Sequence, residues 1–431
     1  MSTRSLTIAV SFLLSCALSA PARADVTLVD PSGGNGKQVL QSAINAAFEG
    51  DILILLPGGY DFPAGALEID GKGLTILAER DTTPPLLDAV RIRNVPAGST
   101  VMLRGLEIRE AAPGAAVAAR LVIENCQGTV WIEDCAVAGN PGDADELTSV
   151  FWPGRTAVAM TDADSVTLLR CTLTGGDGHG YEVSGDGGAL WASSGGNAVT
   201  ALRSKLTLHD SQLQGGHGGD GPAFFLWPGG GGRGLDAESC DLIVSGGALI
   251  GGDEGDENDI GILGTSGHGL YTILAVTDPW LRDTTLQPGA TSGLGYPGVP
   301  VWPPSAVTVD LPAAARSLRV DSPVRAGEGF IVEAKGLQGD LVSLYVSLQT
   351  DRLPLLHGQG VLLTSTSNIL GPIALHTIRN PDGNMPLDFV APHVPPAMGE
   401  GTTIYLQGLF AGVDGLTLGG ATSLVWIDAS L

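Results

Sequence analysis

Lysine is almost absent: there are four among 431 residues, and all charged residues together make up 16%. What charge exists is acidic, with 46 Asp and Glu against 22 Lys and Arg, giving a net charge of −24. A nucleic-acid binder needs the opposite sign to neutralise phosphates, so nucleic acid is excluded as a partner. Aromatic residues are only 5% of the chain. No Cys-x-x-Cys and no Cys/His cluster with zinc-like spacing occurs among the five cysteines. There is no Gly-x-Ser-x-Gly elbow, phosphate loop, dinucleotide fingerprint after a strand or His-Glu-x-x-His. Beyond the N-terminus no apolar run approaches the roughly 20 residues needed to cross a bilayer, so no transmembrane segment is expected in the mature chain. A coiled coil would be poor in glycine and rich in Ala, Glu, Lys and Leu.

Glycine is what the chain has instead: 63 Gly with 27 Pro. It is not placed at every third residue, which excludes a collagen helix, and 43% hydrophobic residues argue against disorder. Residues 175–269 hold 28 of the 63 glycines, so the excess needs a local cause.

The first 24 residues read as an export signal. Arg4 precedes an apolar core of Leu6, Ile8, Ala9, Val10, Phe12, Leu13 and Leu14, and Ala22-Arg23-Ala24 offers small residues where a signal peptidase cuts. Leu13-Leu14-Ser15-Cys16 also resembles a lipoprotein box, which would anchor the chain through Cys16. The expected location is secreted, periplasmic or cell-surface. Cleavage removes Arg4 and Arg23, leaves a net charge of −26, and leaves Cys126, Cys135, Cys171 and Cys240. An oxidising compartment permits disulfides, but spacing fixes no pairing; buried free thiols and a Cys135–Cys171 bridge between neighbouring repeats are both open.

Internal repetition is the strongest signal. Val130-Trp131-Ile132 with Cys135 and Val137 matches Val166-Thr167-Leu168 with Cys171 and Leu173, then Leu206-Thr207-Leu208 with Ser211 and Leu213, then Leu242-Ile243-Val244 with Gly247 and Leu249. The aligned positions step by 36, 40 and 36 residues. Apolar residues alternate within each segment, as in a strand, and the last three run into Gly-Gly pairs. Short strands at a steady period bury themselves by stacking coil on coil, so a β-solenoid is expected.

Near the N-terminus, Gln38-Val39-Leu40-Gln41-Ser42-Ala43-Ile44-Asn45-Ala46-Ala47, Gly50-Asp51, Ile52-Leu53-Ile54-Leu55, Pro57-Gly58-Gly59-Tyr60 and Gly71-Lys72-Gly73-Leu74-Thr75-Ile76 resemble the start of bacterial right-handed parallel β-helix proteins of the pectate-lyase-like superfamily. Val39, Leu40, Ala43, Ile44 and Ala47 recur at helical spacing, as expected of a helix plugging the solenoid's open end. The resemblance implies a right-handed parallel β-helix over residues 25–285. Residues 286–306 are Pro/Gly-rich and read as a linker. Residues 307–431 show about seven strand-like segments bounded by turn residues, the pattern of a β-sandwich. Within them Thr403-Ile404-Tyr405-Leu406-Gln407-Gly408-Leu409-Phe410 and Gly415-Leu416-Thr417-Leu418 resemble a module appended to secreted bacterial proteins.

Enzymes of that superfamily cleave acidic polysaccharides, but their motifs are broken here. Gly-His-Gly occurs at His179, His217 and His268, while the Asp-Asp pair and Asn-Thr-Asp of polygalacturonases are missing, and with them the usual acid–base carboxylates. Val130-Trp131-Ile132-Glu133-Asp134 matches the Trp-Ile-Asp-His of pectate lyases only in part. Two site expectations remain. Asp253, Asp256, Glu257 and Asp259 crowd one glycine-flanked loop, with Asp177, Asp186 and Asp220 on earlier ones, and oxygen ligands on a loop that can wrap suit Ca²⁺; a solvated acidic loop is the alternative. Trp152, Tyr181, Trp191 and Trp227, with Phe224 and Phe225, sit on the same loops and suit sugar faces; packing under their own loops is the alternative. The expected function is an exported, monomeric, all-β binding or structural module for polysaccharide or cell-surface glycan. The alternative is an enzyme, a divergent polysaccharide lyase or glycoside hydrolase. A surface adhesin would need an export barrel, for which the tail ending at Leu431 is too short.

Overall fold

Each repeat supplies three short strands rather than one. A computed structural model describes residues 24–33, 36–60, 65–109, 118–145, 150–180, 192–221, 228–256, 264–273, 277–291, 295–306, 308–311, 313–355, 360–366, 369–395 and 398–431. The first parallel ladder runs through Leu67–Asp70, Val90–Arg93, residues 121–124 and 158–161, Val199–Leu202, Leu235–Glu238, Leu270–Ile273 and Val301–Trp302. The second begins at Val26–Val29 and Ile52–Leu55, includes residues 129–133 and 165–169, and continues through Lys205–His209, Asp241–Ser245 and Thr277–Arg282 to Val309–Asp310. The third is an 8-stranded sheet from Gly59–Tyr60 to Thr285–Gln287. We call their outer surfaces faces 1, 2 and 3. The parallel stacking, in register at the repeat found in the sequence, is compatible with a β-solenoid. Alternate residues point inward and make one continuous core, from Leu53 and Leu74 through Ile132 and Leu168 to Leu249 and Leu270.

The turns between faces are short because one residue in each takes a left-handed conformation. Asn125, Asp162, Arg203 and Ser239 do so between faces 1 and 2, and Asp134, Arg170, Asp210 and Asp283 between faces 2 and 3. Asn and Asp tolerate this region best among residues with a Cβ. The next residue then closes the corner. The thiols of Cys126, Cys135, Cys171 and Cys240 donate to carbonyls two residues back at 3.2–3.4 Å, as the Ser204 and Ser211 hydroxyls do at 2.8 and 3.0 Å. All four cysteines are buried free thiols. Burial raises the Cys171 thiol to about 12 and moves the other three upward too.

The α-helix α1 (Gly36–Ala46) buries Leu40 and Ile44 against the first strands. Lys72 Nζ closes its C-terminus, donating to the carbonyls of Ile44 and, at 2.6 Å, Ala47. At the other end the ladders pass residue 285. Val301–Trp302 and Val309–Asp310 each add a parallel rung, so the Pro/Gly-rich stretch read as a linker contributes to the stack.

From residue 317 the pairing turns largely antiparallel. A 3-stranded sheet of Ser317–Val320, Gly329–Lys335 and Asn384–Val390 faces a 6-stranded sheet built on Leu341–Ser347, Ile369–Thr377, Gly401–Gly412 and Thr422–Ile427. Val332, Leu344, Phe389, Leu406 and Trp426 lie in the core between them.

The 6-stranded sheet and the hairpin of Thr350–Pro354 and Val361–Thr364 cover face 2. Outward-pointing Ile52, Ile54, Met102, Trp131 and Ile243 share a buried cluster with Leu363, Tyr405, Val425 and Ile427. The rings of Trp131 and Tyr405 meet edge to face at 5.0 Å. Charges are buried here too. Glu133, fully buried, faces Arg104 at 3.5 Å and Arg170 more closely, and accepts hydrogen bonds from Thr422 at 2.5 Å and Ser423 at 2.6 Å. Burial alone would raise its carboxyl; the two guanidinium groups and the hydroxyls overcome that and hold it near 2. Much of face 2 is therefore covered, while outer faces 1 and 3 and the glycine loops stay open to solvent.

Candidate functional site

The glycine loops connect face 3 to face 1, and their exposure repeats every three residues. Gly215 and Gly216 are buried, His217 is exposed, Gly218 and Gly219 are buried, Asp220 is exposed and Gly221 is buried. Three residues per turn is the period of a polyproline-II chain. The outgoing and returning chains pack side by side through backbone hydrogen bonds: Gly196 N–H donates to the Gly176 carbonyl at 2.7 Å, Gly216 to Gly196 at 2.9 Å, and Gly232 to Gly216 at 2.8 Å. There is no room for a side chain between them. A Cβ on Gly176 would sit 1.7 Å from the Asn140 carbonyl oxygen, and one on Gly216 2.0 Å from that of Gly176.

The outward positions carry the acids expected to hold calcium. Three of the carboxylates are used as ties to the next chain. Asp177 Oδ1 accepts the His217 N–H at 2.8 Å, Asp220 Oδ1 the Asp256 N–H at 3.0 Å, and Asp253 Oδ1 the Ala290 N–H at 2.6 Å. Asp253 also lies 3.4 Å from His217 Nδ1. Among the described residues no three His, Cys, Asp or Glu side chains converge to hold a metal ion. Glu257, Asp259 and Asp186 lie outside the described residues.

Of the loop aromatics, Trp152 is described. It ends a hairpin of Asp143–Asp145 and Val150–Trp152, is 48% exposed, and has the Arg155 guanidinium 5.2 Å from its ring. Tyr181, Trp191, Trp227, Phe224 and Phe225 lie outside the described residues.

A second aromatic group, which the sequence reading missed, closes the C-terminal end of face 1. The parallel register stacks Asp236, Tyr271 and Trp302 on successive rungs, all pointing outward. His268, from the returning glycine chain, slots between the two rings, 5.7 Å from Tyr271 and 5.3 Å from Trp302 and nearly parallel to both. The Arg233 guanidinium lies over the Tyr271 ring, 3.3 Å from its centroid. Its charge is met by Asp236 at 2.6 Å, and Asn197 Nδ2 donates to the same carboxylate at 3.2 Å. The His268 Nδ1 accepts the Val299 N–H at 3.0 Å, which leaves the ring neutral; burial and the Arg233 charge hold it below the ordinary histidine range.

The result is a fixed π column, Arg233–Tyr271–His268–Trp302, at the end of an accessible sheet face. Trp302 is 40% exposed and Ile273, on the neighbouring outward row, 39%. The signal was present but disguised. Asp236 to Tyr271 is 35 residues and Tyr271 to Trp302 is 31, short of the 36–40 period, and Trp302 sits in the stretch read as a linker. At the opposite end of face 1, Arg93 joins Glu68 at 3.0 Å and Asp70 at 3.1 Å beside an open cleft of about 710 Å³ that also borders Gln41, Asn45 and Lys72.

No family model, curated protein or solved structure matches the chain. No helix among the described residues is long and apolar enough to cross a membrane.

Proposed function

We propose that the chain is an exported right-handed parallel β-helix protein, with a C-terminal sandwich docked on one face, that binds glycan on its outer face 1. The in-register parallel rungs, the repeat period and the apolar leader support the architecture and the export. One observation carries the binding reading: a preformed column of aromatic and guanidinium groups, half open to solvent and rimmed by polar side chains, at the end of a sheet face. Sugars present apolar C–H faces to rings and hydroxyls to polar rims, and specific small-ligand sites combine those two surfaces. A column locked by stacking loses little entropy when a ligand arrives.

The second reading is a divergent polysaccharide lyase or glycoside hydrolase. Asp236 beside Arg233 is the carboxylate-with-arginine arrangement such an enzyme would use. The two are closed on each other at 2.6 Å, which leaves Asp236 engaged with a cation rather than poised for acid–base work, so binding is favoured. The test is a glycan-array screen of the purified protein with Trp302→Ala in parallel. Binding by the parent chain that the variant loses is expected. A parent chain that binds no glycan would remove this function.

A further inference from the structure

We propose that the π column takes an uncharged glycan and rejects uronate-bearing chains. Trp302 and Ile273 carry a pyranose by its C–H face, and the Asp236 carboxylate, held by Arg233 and Asn197, accepts hydrogen bonds from its hydroxyls. This rests on the glycan-binding reading and adds the class of sugar.

The argument is electrostatic. A uronate entering a partly desolvated site needs a cation that is not already matched. The arginines described on the face 1 strands, at the Arg203 corner and at Arg233 are each matched. Arg91 lies 3.9 Å from both Glu68 and Glu124, Arg93 joins Glu68 and Asp70, Arg203 meets Asp162 at 2.7 Å, and Arg233 meets Asp236. At the column the balance is negative. Asp236 and Glu238 both point outward, Glu238 in register with Ile273, while Arg233 is committed to Asp236 and Arg203, the cation beside Glu238, to Asp162. His268 adds no charge, because its Nδ1 is occupied as an acceptor. A carboxylated sugar stacked on Trp302 would therefore meet a like-charged rim, whereas a neutral sugar meets a rim of acceptors. The Asp236 carboxylate is 20% exposed, and its Oδ2 takes both Arg233 and Asn197, so Oδ1 remains to receive hydroxyls.

The test is calorimetric titration with soluble oligomers of xylan, β-glucan and galactomannan against oligogalacturonate and oligoalginate, at two salt concentrations. Neutral oligomers are expected to bind at least about ten-fold tighter at low ionic strength. The gap should narrow on going to about 0.15 M salt, where like-charge repulsion is screened beyond about 8 Å. Asp236→Asn should narrow the gap from both sides. Glu238→Gln, which leaves the column's contacts in place, should raise uronate binding alone. Uronate oligomers that bind as tightly as neutral ones, or lose affinity as salt rises, would overturn the proposal while leaving glycan binding intact. Neutral binding unaffected by Trp302→Ala would move the site elsewhere and overturn it too. Failure of every oligomer to bind would remove the underlying reading.

Discussion

Glu133 Oε2 accepts hydrogen bonds from both the backbone N–H and the hydroxyl of Ser423, at 2.9 and 2.6 Å. The two residues belong to different sheets, one the second parallel ladder and the other the 6-stranded sheet that covers it. The remaining partners come from both sides: Arg104 and Arg170 from the ladder, Thr422 from the covering sheet, and Trp131 Nε1 at 2.8 Å. Arg104 in turn donates to the Ser423 and Val320 carbonyls. A buried ion cluster of this kind adds little net stability when intact, but losing one member leaves the others uncompensated.

Glu133→Gln should therefore cost about 3–5 kcal/mol, because Arg104 and Arg170 would remain buried with Asp134 as the one carboxylate shared between them. Glu333→Gln, on an exposed strand position, should stay within about 0.5 kcal/mol. Denaturant titration of the full chain measures both, and equal midpoints for the two variants would contradict this account. The carboxylate also sets a pH window. Its pKa falls from 4.5 unfolded to about 2 folded, so its stabilisation is complete above the unfolded value and disappears as pH falls through the folded one.

The parallel ladders were legible because their cause is local. Val130, Val166, Leu206 and Leu242 recur in the chain as they recur in the core, and Leu40 and Ile44 mark a helix by spacing alone. The π column was not legible, because its members come from two kinds of segment. Tyr271 and Trp302 stand on strands, while His268 and Arg233 arrive from loop returns, and only the register brings them together. The crowding of acids at 253 and 256 carries no direction in sequence: a chain with three residues per turn points Asp253 and Asp256 along one outer row, where the Asp253 carboxylate is tied to Ala290. The cysteine question was open in sequence, since only the corner conformation shows a thiol doing what Ser204 and Ser211 do with a hydroxyl.

The glycine layer gives a paired test. Gly216→Ala places a methyl group 2.0 Å from the Gly176 carbonyl oxygen, between two backbones that cannot yield independently. Gly180→Ala has its nearest neighbour at 3.7 Å, an ordinary contact. The first should destabilise by about 1–3 kcal/mol or more, as overpacking does, and the second should be close to neutral. Hydrogen exchange on the full chain adds a local readout: the amides of Gly196 and Gly232 should lose protection in Gly216→Ala and keep it in Gly180→Ala. Similar melting temperatures and protection in both variants would show that the chains are not packed backbone to backbone.

His209 supplies the remaining pH dependence. It lies under the C-terminal sheets, and a Cβ at Gly420 would be 3.3 Å from its ring. Its Nε2 is buried with no hydrogen-bond partner among the described residues. Burial, followed by the charges of Arg282 and Arg170 and opposed by Asp210, lowers its pKa from 6.5 to about 4. A depressed histidine is bound neutral. The unfolded chain takes up a proton at higher pH than the folded one, so stability rises with pH through this window. The contribution is complete above 6.5 and lost as pH falls toward 4, amounting to about 3 kcal/mol at most for one fully buried group. His209→Gln, which cannot titrate, should flatten the unfolding free energy between these limits relative to the parent chain, whatever its effect at neutral pH. Parallel profiles for the two proteins from pH 7 to 4 would show that His209 is not held neutral by burial, and the acid sensitivity of the docked sheets would then have to arise from carboxylates such as Glu133, in a lower window.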